Sequence, residues 1–213
     1  MSEFTSGQLL LASHKEAIRK HAIPGSLLKV LDEKWVAFLT GEDNYIDFHE
    51  APAFIYQLSI DAPVLYFCNY GDHFWGYRIF SEGKEVASLR ISYEFDEELI
   101  MKIFEERYPD NDLYELFTTD YHNEINKYIE VNGLQEKAFN DLFDECNVTA
   151  FKLFNLTDEQ IDNLTSILNP NYFREQDNIF NLVDEFKEIV GIDEMSWIRY
   201  ERVEEDEDYE ERF

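Results

Sequence analysis

The sequence predicts an α+β fold: an antiparallel-rich mixed sheet from the N-terminal half, with a helical C-terminal half packed against it. Three observations carry this expectation. Residues 64–95, VLYFCNYGDHFWGYRIFSEGKEVASLRISYEF, form the densest run of strand-forming residues, and two turn signals divide it into three strands. From Asp96 onward the apolar residues recur at helical rather than alternating spacing. Apolar residues make up 45% of the 213-residue chain and aromatics 16%, enough for a packed core and unlike a disordered composition.

Within the central meander, 64–68 is apolar and too short for a helix. Asn69-Tyr70-Gly71-Asp72 supplies a turn, because glycine tolerates positive φ and Asn and Asp bond their own backbone. The second strand, 74–80, sets Trp75, Tyr77 and Ile79 on one face and Phe74, Gly76, Arg78 and Phe80 on the other. Ser81-Glu82-Gly83-Lys84 closes the second hairpin, with Gly83 left-handed. The third strand, 86–95, carries Ala87, Leu89, Ile91, Tyr93 and Phe95 on an apolar face and Arg90, Ser92 and Glu94 on the other, the pattern of a sheet wet on one side. Gly76 marks a bulge or a close approach.

Ahead of the meander, 8–12 reads as a first strand. Ser13-His14-Lys15-Glu16 reads as a capping box opening a short helix that buries Ala17 and Ile18 and ends before Pro24-Gly25. Residues 27–31 and 35–40 alternate like strands, and 41–44 is a loop. Residues 52–60 make a short helix facing inward through Ala51, Phe54, Ile55 and Leu58. The N-terminal half therefore reads β-α-β-β-α-β-β-β.

Asp96, Glu97 and Glu98 open the next helix, where carboxylates meet the positive end of the helix dipole, and Tyr108-Pro109 closes it. Leu113, Leu116, Phe117, Tyr121, Ile125, Tyr128 and Ile129 form the clearest amphipathic stripe, closed by Asn132-Gly133. Leu134, Ala138, Phe139, Leu142, Phe143 and Cys146 form another. Leu156-Thr157-Asp158-Glu159-Gln160-Ile161 is a capping box with a hydrophobic staple, and Asn169-Pro170-Asn171 breaks the helix it opens. A last helix over 172–190 buries Ile179, Phe180, Val183, Phe186 and Val190, with Gly191 as its C-cap. MSWIRYERV alternates and reads as a final strand over 195–203, followed by a solvated acidic tail, 204–213. The organisation is thus a sheet subdomain over 1–95 and a helical acidic subdomain over 96–203. Without a linker, the two are expected to share an interface.

The formal net charge is −28, and it divides unevenly: residues 1–95 hold 8 basic and 13 acidic side chains, and the remainder 10 and 33. Such a field repels phosphate backbones and anionic membrane surfaces, so nucleic acid and membranes are disfavoured partners and a basic protein is favoured. Cys68 and Cys146 are too few for a disulfide framework and lack metal-ligand spacing. The opening MSEFTSGQ has no basic n-region, and no apolar run reaches the roughly 20 residues of a membrane span. The expectation is a reduced, cytoplasmic protein.

No phosphate loop, nucleophile elbow, paired-cysteine motif or cofactor signature is present. The candidate ligand-binding residues are His73, Trp75, Tyr77 and Arg78, a general base and a bidentate anion grip set among aromatics. Adjacent strand residues point to opposite faces, so Asp72 and His73 make a poor pair, and Arg78 has a plain structural reading against Glu94, Tyr77 or Tyr93. His14 and His21 are spaced wrongly for a helical metal pair, and His49-Glu50 with Asp43 and Asp47 forms an acidic loop. Asp110-Asn111-Asp112 lacks the glycine and distal glutamate of a calcium loop. Cys68, with no basic flank, reads as an inert core thiol. The favoured function is a protein-interaction module for a basic partner, of regulator, inhibitor or immunity type. The alternatives are a small-molecule-binding protein or enzyme using the aromatic sheet site, and a DNA mimic.

Overall fold

The computed structural model describes residues 3–41, 51–176 and 180–213. Among these residues seven strands form one sheet: β1 (Phe4–Leu11), β2 (Leu27–Val30), β3 (Trp35–Leu39), β4 (Val64–Tyr70), β5 (Phe74–Ser81), β6 (Lys84–Ser92) and β7 (Glu211–Arg212). Their spatial order is β6-β5-β4-β1-β3-β2-β7, and every pairing among the described residues is antiparallel. The fold is α+β, with the N-terminal sheet carrying the C-terminal helices against it. Two helices interrupt the strands, α1 (Lys15–His21) and α2 (Ala53–Asp61), so the order read from the sequence stands.

The strand alternation sorts side chains onto two faces, and both are covered. Leu9, Trp35, Ala37, Leu65, Phe67, Trp75, Tyr77, Leu89 and Ile91 face one core, completed by residues from 146–203. Leu10, Leu28, Val36, Phe38, Val64, Tyr66, Cys68 and Phe80 face a second core, closed by Ile18 of α1 and by Ile55 and Leu58 of α2. The expectation of a sheet wet on one side is therefore corrected: the second face is covered too, and at the β6 margin it keeps the half-buried polar side chains Ser88 and Arg90. The cause is chain order, because α1 and α2 return across that face between strands.

Two glycines have definite jobs. Gly83 (φ 74°) follows Glu82 (φ 54°) in the two-residue turn between paired Ser81 and Lys84, a turn that needs positive φ at both central residues. A Cβ on Gly7 would meet Leu39 Cδ2 at 2.5 Å, so a larger residue there would have to displace the Leu39 side chain that packs over β1. Gly76 pairs in regular register. The irregularity lies between Ile79 and Phe80, whose partners Ala87 and Glu85 skip Val86.

Boundaries differ from expectation where tertiary contacts decide them. β6 stops at Ser92, and Phe95 instead begins α3 (Phe95–Arg107). A 3-10 turn, Ala12–His14, precedes α1, and no side chain caps that helix; Glu16 pairs with Arg19 rather than reaching back. The long stripe is two helices, α4 (Leu113–Thr118) and α5 (Tyr121–Asn132), and the next helix, α6 (Leu134–Asp141), is short and buries no residue fully. Leu99, Ile100, Ile103, Phe104, Leu116, Ile125 and Ile129 form a small third core within 95–141.

After α6 the chain returns to the sheet through a 3-10 helix, Val148–Phe154, whose Phe151 and Phe154 are buried. α7 (Asp158–Ile167) has the expected capping box: Gln160 N donates to Thr157 Oγ1 at 3.2 Å and Thr157 N to Gln160 Oε1 at 3.0 Å. The last expected helix divides into α8 (Pro170–Glu175), capped by Asn169, and α9 (Asn181–Val190), capped by Gly191 (φ 76°). Ile179 lies outside the described residues, and Phe180 is 45% exposed rather than buried. Phe186 of α9 sits within 6 Å, ring centre to ring centre, of Phe67, Trp75, Tyr77 and Phe151, so it keys the C-terminal layer into the sheet.

The final strand expected over 195–203 does not form. Met195 ends a 3-10 helix, Trp197 takes φ 65°, and Tyr200–Glu205 is α10. The buried residues are Met195, Ile198 and Val203, a spacing that period-two alternation cannot satisfy. The tail over 204–213 is likewise not merely solvated. β7 pairs with β2, Lys15 Nζ meets Glu210 at 2.5 Å, Lys29 Nζ meets Asp208 at 2.5 Å, and Arg19 pairs with Glu211. The bases of α1 and β2 draw the acidic end onto an otherwise open sheet edge, as the polarity of the charges and the free edge amides require.

Candidate functional site

The four residues singled out in the sequence do not converge. Trp75 and Tyr77 are fully buried under α9, and the Tyr77 hydroxyl donates to the Cys146 carbonyl at 2.6 Å. Burial pushes the Tyr77 phenol well above its ordinary range. Arg78 points to the opposite face, 5% exposed, where Nε and Nη2 donate to the two oxygens of Glu85 at 3.1 and 2.5 Å and the guanidinium lies 5.2 Å from the Phe80 ring. Among the described residues it pairs with Glu85 rather than Glu94. His73 stands at the open end of the β4–β5 turn, its side chain about half exposed, with Nδ1 3.6 Å from Glu94. Strand alternation separates the arginine from the two aromatics by the thickness of the sheet.

The other sequence candidates resolve locally. His21 Nε2 meets Asp61 Oδ2 at 2.5 Å. Asp112 caps α4 by accepting from Tyr114 N at 2.9 Å, and Asn111 donates to Glu115 at 2.8 Å. Asp43, Asp47, His49 and Glu50 lie outside the described residues. Cys68 is fully buried, and desolvation pushes its thiol up to about 12; burial also raises Cys146. Among the described residues, no three His, Cys, Asp or Glu side chains converge as metal ligands would, and no helix is long and apolar enough to cross a membrane.

A concavity among the described residues lies elsewhere, where the β6–α3 turn meets α6 and α8. It is an open groove of about 800 Å³. Its floor is aromatic: Phe95 contacts Phe139 edge-on at 5.5 Å, and Phe139 contacts Phe173 at 5.1 Å. Its rim is acidic, with Glu94, Asp96, Glu97 and Glu136 all exposed. Arg174 is the rim's cation; its guanidinium lies 5.1 Å from the Phe139 ring and donates to Asn140 Oδ1 at 3.0 Å.

The wall of this groove is held by a second ion pair. Arg90 of β6 donates through both terminal nitrogens to Glu98 at 2.7 and 2.8 Å, and Ser92 Oγ donates to the same carboxylate at 2.7 Å. Those bonds hold the Glu98 carboxyl below its ordinary range, with the Arg90 hydrogen bonds the leading cause. They fix the start of α3 to the sheet.

A second exposed feature is the surface of α4 and α5. Leu113, Tyr114, Phe117, Tyr128 and Val131 are 37%, 72%, 59%, 38% and 74% exposed. Residues 95–141 carry 13 acidic and 4 basic side chains around them.

Neither feature was assigned from the sequence. Phe95 read as strand and Phe139 as one more rung of a core stripe, and Phe173 carried no periodic signal. A groove built from three separate elements has no linear signature. The α4–α5 residues had a signal, an apolar stripe broader than the small core beneath it can bury. No protein-family model, curated protein or solved structure matches the chain.

Proposed function

We propose that the protein is an interaction module that docks a basic protein partner, as a regulator, inhibitor or immunity-type protein does, and that residues 95–141 present the docking surface. One observation carries the reading: Tyr114, Phe117 and Val131 on α4 and α5 are mostly exposed, within a stretch that carries 13 acidic and 4 basic side chains over residues 95–141. Exposed aromatics supply anchors, and the surrounding carboxylates steer a cationic surface and speed encounter. Three acids of the tail, by contrast, pair within the molecule: Glu210 with Lys15, Glu211 with Arg19 and Asp208 with Lys29. Buried, unpaired cysteines suit a reducing cytoplasm, where we place the protein.

Affinity capture tests the reading. The wild-type chain is expected to retain a basic protein whose capture weakens with rising salt, and Tyr114→Ser/Phe117→Ser is expected to lose it at every salt concentration. Capture indifferent to both salt and these substitutions removes the proposal.

A further inference from the structure

We propose that the groove between the β6–α3 turn, α6 and α8 is a receptor for an arginine side chain on a basic partner segment. The inference rests on the docking reading above and adds to it a specific site and a specific side chain.

The chemistry of the groove selects the ligand. Three rings, Phe95, Phe139 and Phe173, form a continuous half-buried floor. A ring face attracts a cation within about 6 Å of its centre, and a planar guanidinium stacks there better than an ammonium. The molecule itself uses the floor this way, since Arg174 stacks on Phe139 at 5.1 Å. The rim then supplies the charge. Among the described residues no lysine or arginine pairs with Asp96, Glu97 or Glu136; Asp96 accepts from Gln135 at 2.7 Å, and Glu97 stands 3.7 Å from His122. Carboxylates placed above apolar rings match an arginine in both halves, the stem and guanidinium face on the floor and the N–H fork on the rim. At about 800 Å³ the groove has room for such a side chain together with its flanking backbone. A phosphate or other anion meets the opposite situation, four carboxylates against one committed arginine.

Hexa-arginine and hexa-lysine peptides, titrated calorimetrically against the full chain, test the assignment. Hexa-arginine is expected to bind more tightly than hexa-lysine. Glu136→Lys on the exposed face of α6 should weaken hexa-arginine by about tenfold, roughly the worth of one good charge-assisted contact. Glu159→Lys on α7, the same charge change away from the groove, should leave affinity within about twofold, as a screened distant charge does. Phe139→Ala should abolish the preference for arginine over lysine, and Arg174→Gln, which clears the ring and removes a competing cation, should tighten hexa-arginine. Equal loss from Glu136→Lys and Glu159→Lys, or weaker binding by Arg174→Gln, overturns the groove while leaving a basic partner for α4–α5 intact. Groove-dependent peptide binding with capture unaffected by Tyr114→Ser/Phe117→Ser does the reverse.

Discussion

The sheet with its two covering layers and the excursion over residues 95–141 solve the same problem differently. Around the sheet, both faces are buried, Trp35, Phe67, Trp75, Tyr77 and Phe186 are fully enclosed, and several carboxylates pair with bases inside the molecule. The excursion has a core of seven buried residues, and beside it leaves five large apolar side chains exposed. The layers around the sheet seat most of their large rings inside, whereas α4 and α5 hold exposed rings among carboxylates, and the docking proposal draws on this difference.

The contrast can be broken by substitution. Phe186→Ala should have the largest effect, because the ring closes a cluster reaching four other aromatics and its removal opens a cavity among them. A loss of about 3–5 kcal/mol in denaturant unfolding is expected. A loss below about 1 kcal/mol would show that the C-terminal layer is not keyed into the sheet as described.

Phe104→Ala removes a fully buried ring from the small core, where it contacts Tyr108 and Tyr121 at 5.5 Å. Amide exchange should quicken across 95–141 while amides of β4 and β5 stay protected, since the two cores share few side chains. Uniform quickening through the sheet would make the excursion an integral part of one cooperative unit.

The tie between the regions should be sensitive to acid. Glu98 ordinarily titrates at 4.5, and its folded value is held lower by Arg90. A depressed carboxyl contributes stability that is complete above the unfolded value and is lost as pH falls through the folded one. Unfolding midpoints compared at neutral pH and below pH 4.5 should therefore fall more for wild type than for Glu98→Gln, which lacks the titrating group. The same fall in both would assign the acid sensitivity to other carboxylates. The half-exposed position of Glu98 keeps this effect well below that of either core substitution.

The smallest effect on stability belongs to the exposed rings. Phe117→Ser should change the unfolding free energy by no more than about 0.5 kcal/mol, because the side chain is already in water. A larger loss would mean that the α4–α5 surface is structural, and would remove the observation on which the docking proposal stands.

The strands were legible because alternation is a local property. Trp75, Tyr77 and Ile79 against Phe74, Arg78 and Phe80 could be assigned to opposite faces without knowing what covered either. The same holds for caps, where Thr157 with Gln160 and the glycines at 133 and 191 act over a single turn. Failures fell where a local pattern was compatible with two tertiary outcomes. MSWIRYERV alternates, yet its burial is set by the sheet it meets, and Trp197 turns the backbone out of the strand region. The four aromatic, arginine and histidine candidates were near in sequence, and nearness along a strand places neighbours on opposite sides of it.

The sequence by itself determined the α+β class, the meander, most helix positions and the concentration of negative charge beyond residue 95, because propensity, periodicity and composition act within a few residues or over the whole chain. Only the tertiary structure decided that both sheet faces are covered, that the acidic end is drawn onto the β2 edge by bases nearly two hundred residues earlier, and that three phenylalanines from separate elements meet beneath a carboxylate rim. The physical reason is that contacts between distant segments depend on the path of the chain through space, which no short-range pattern encodes.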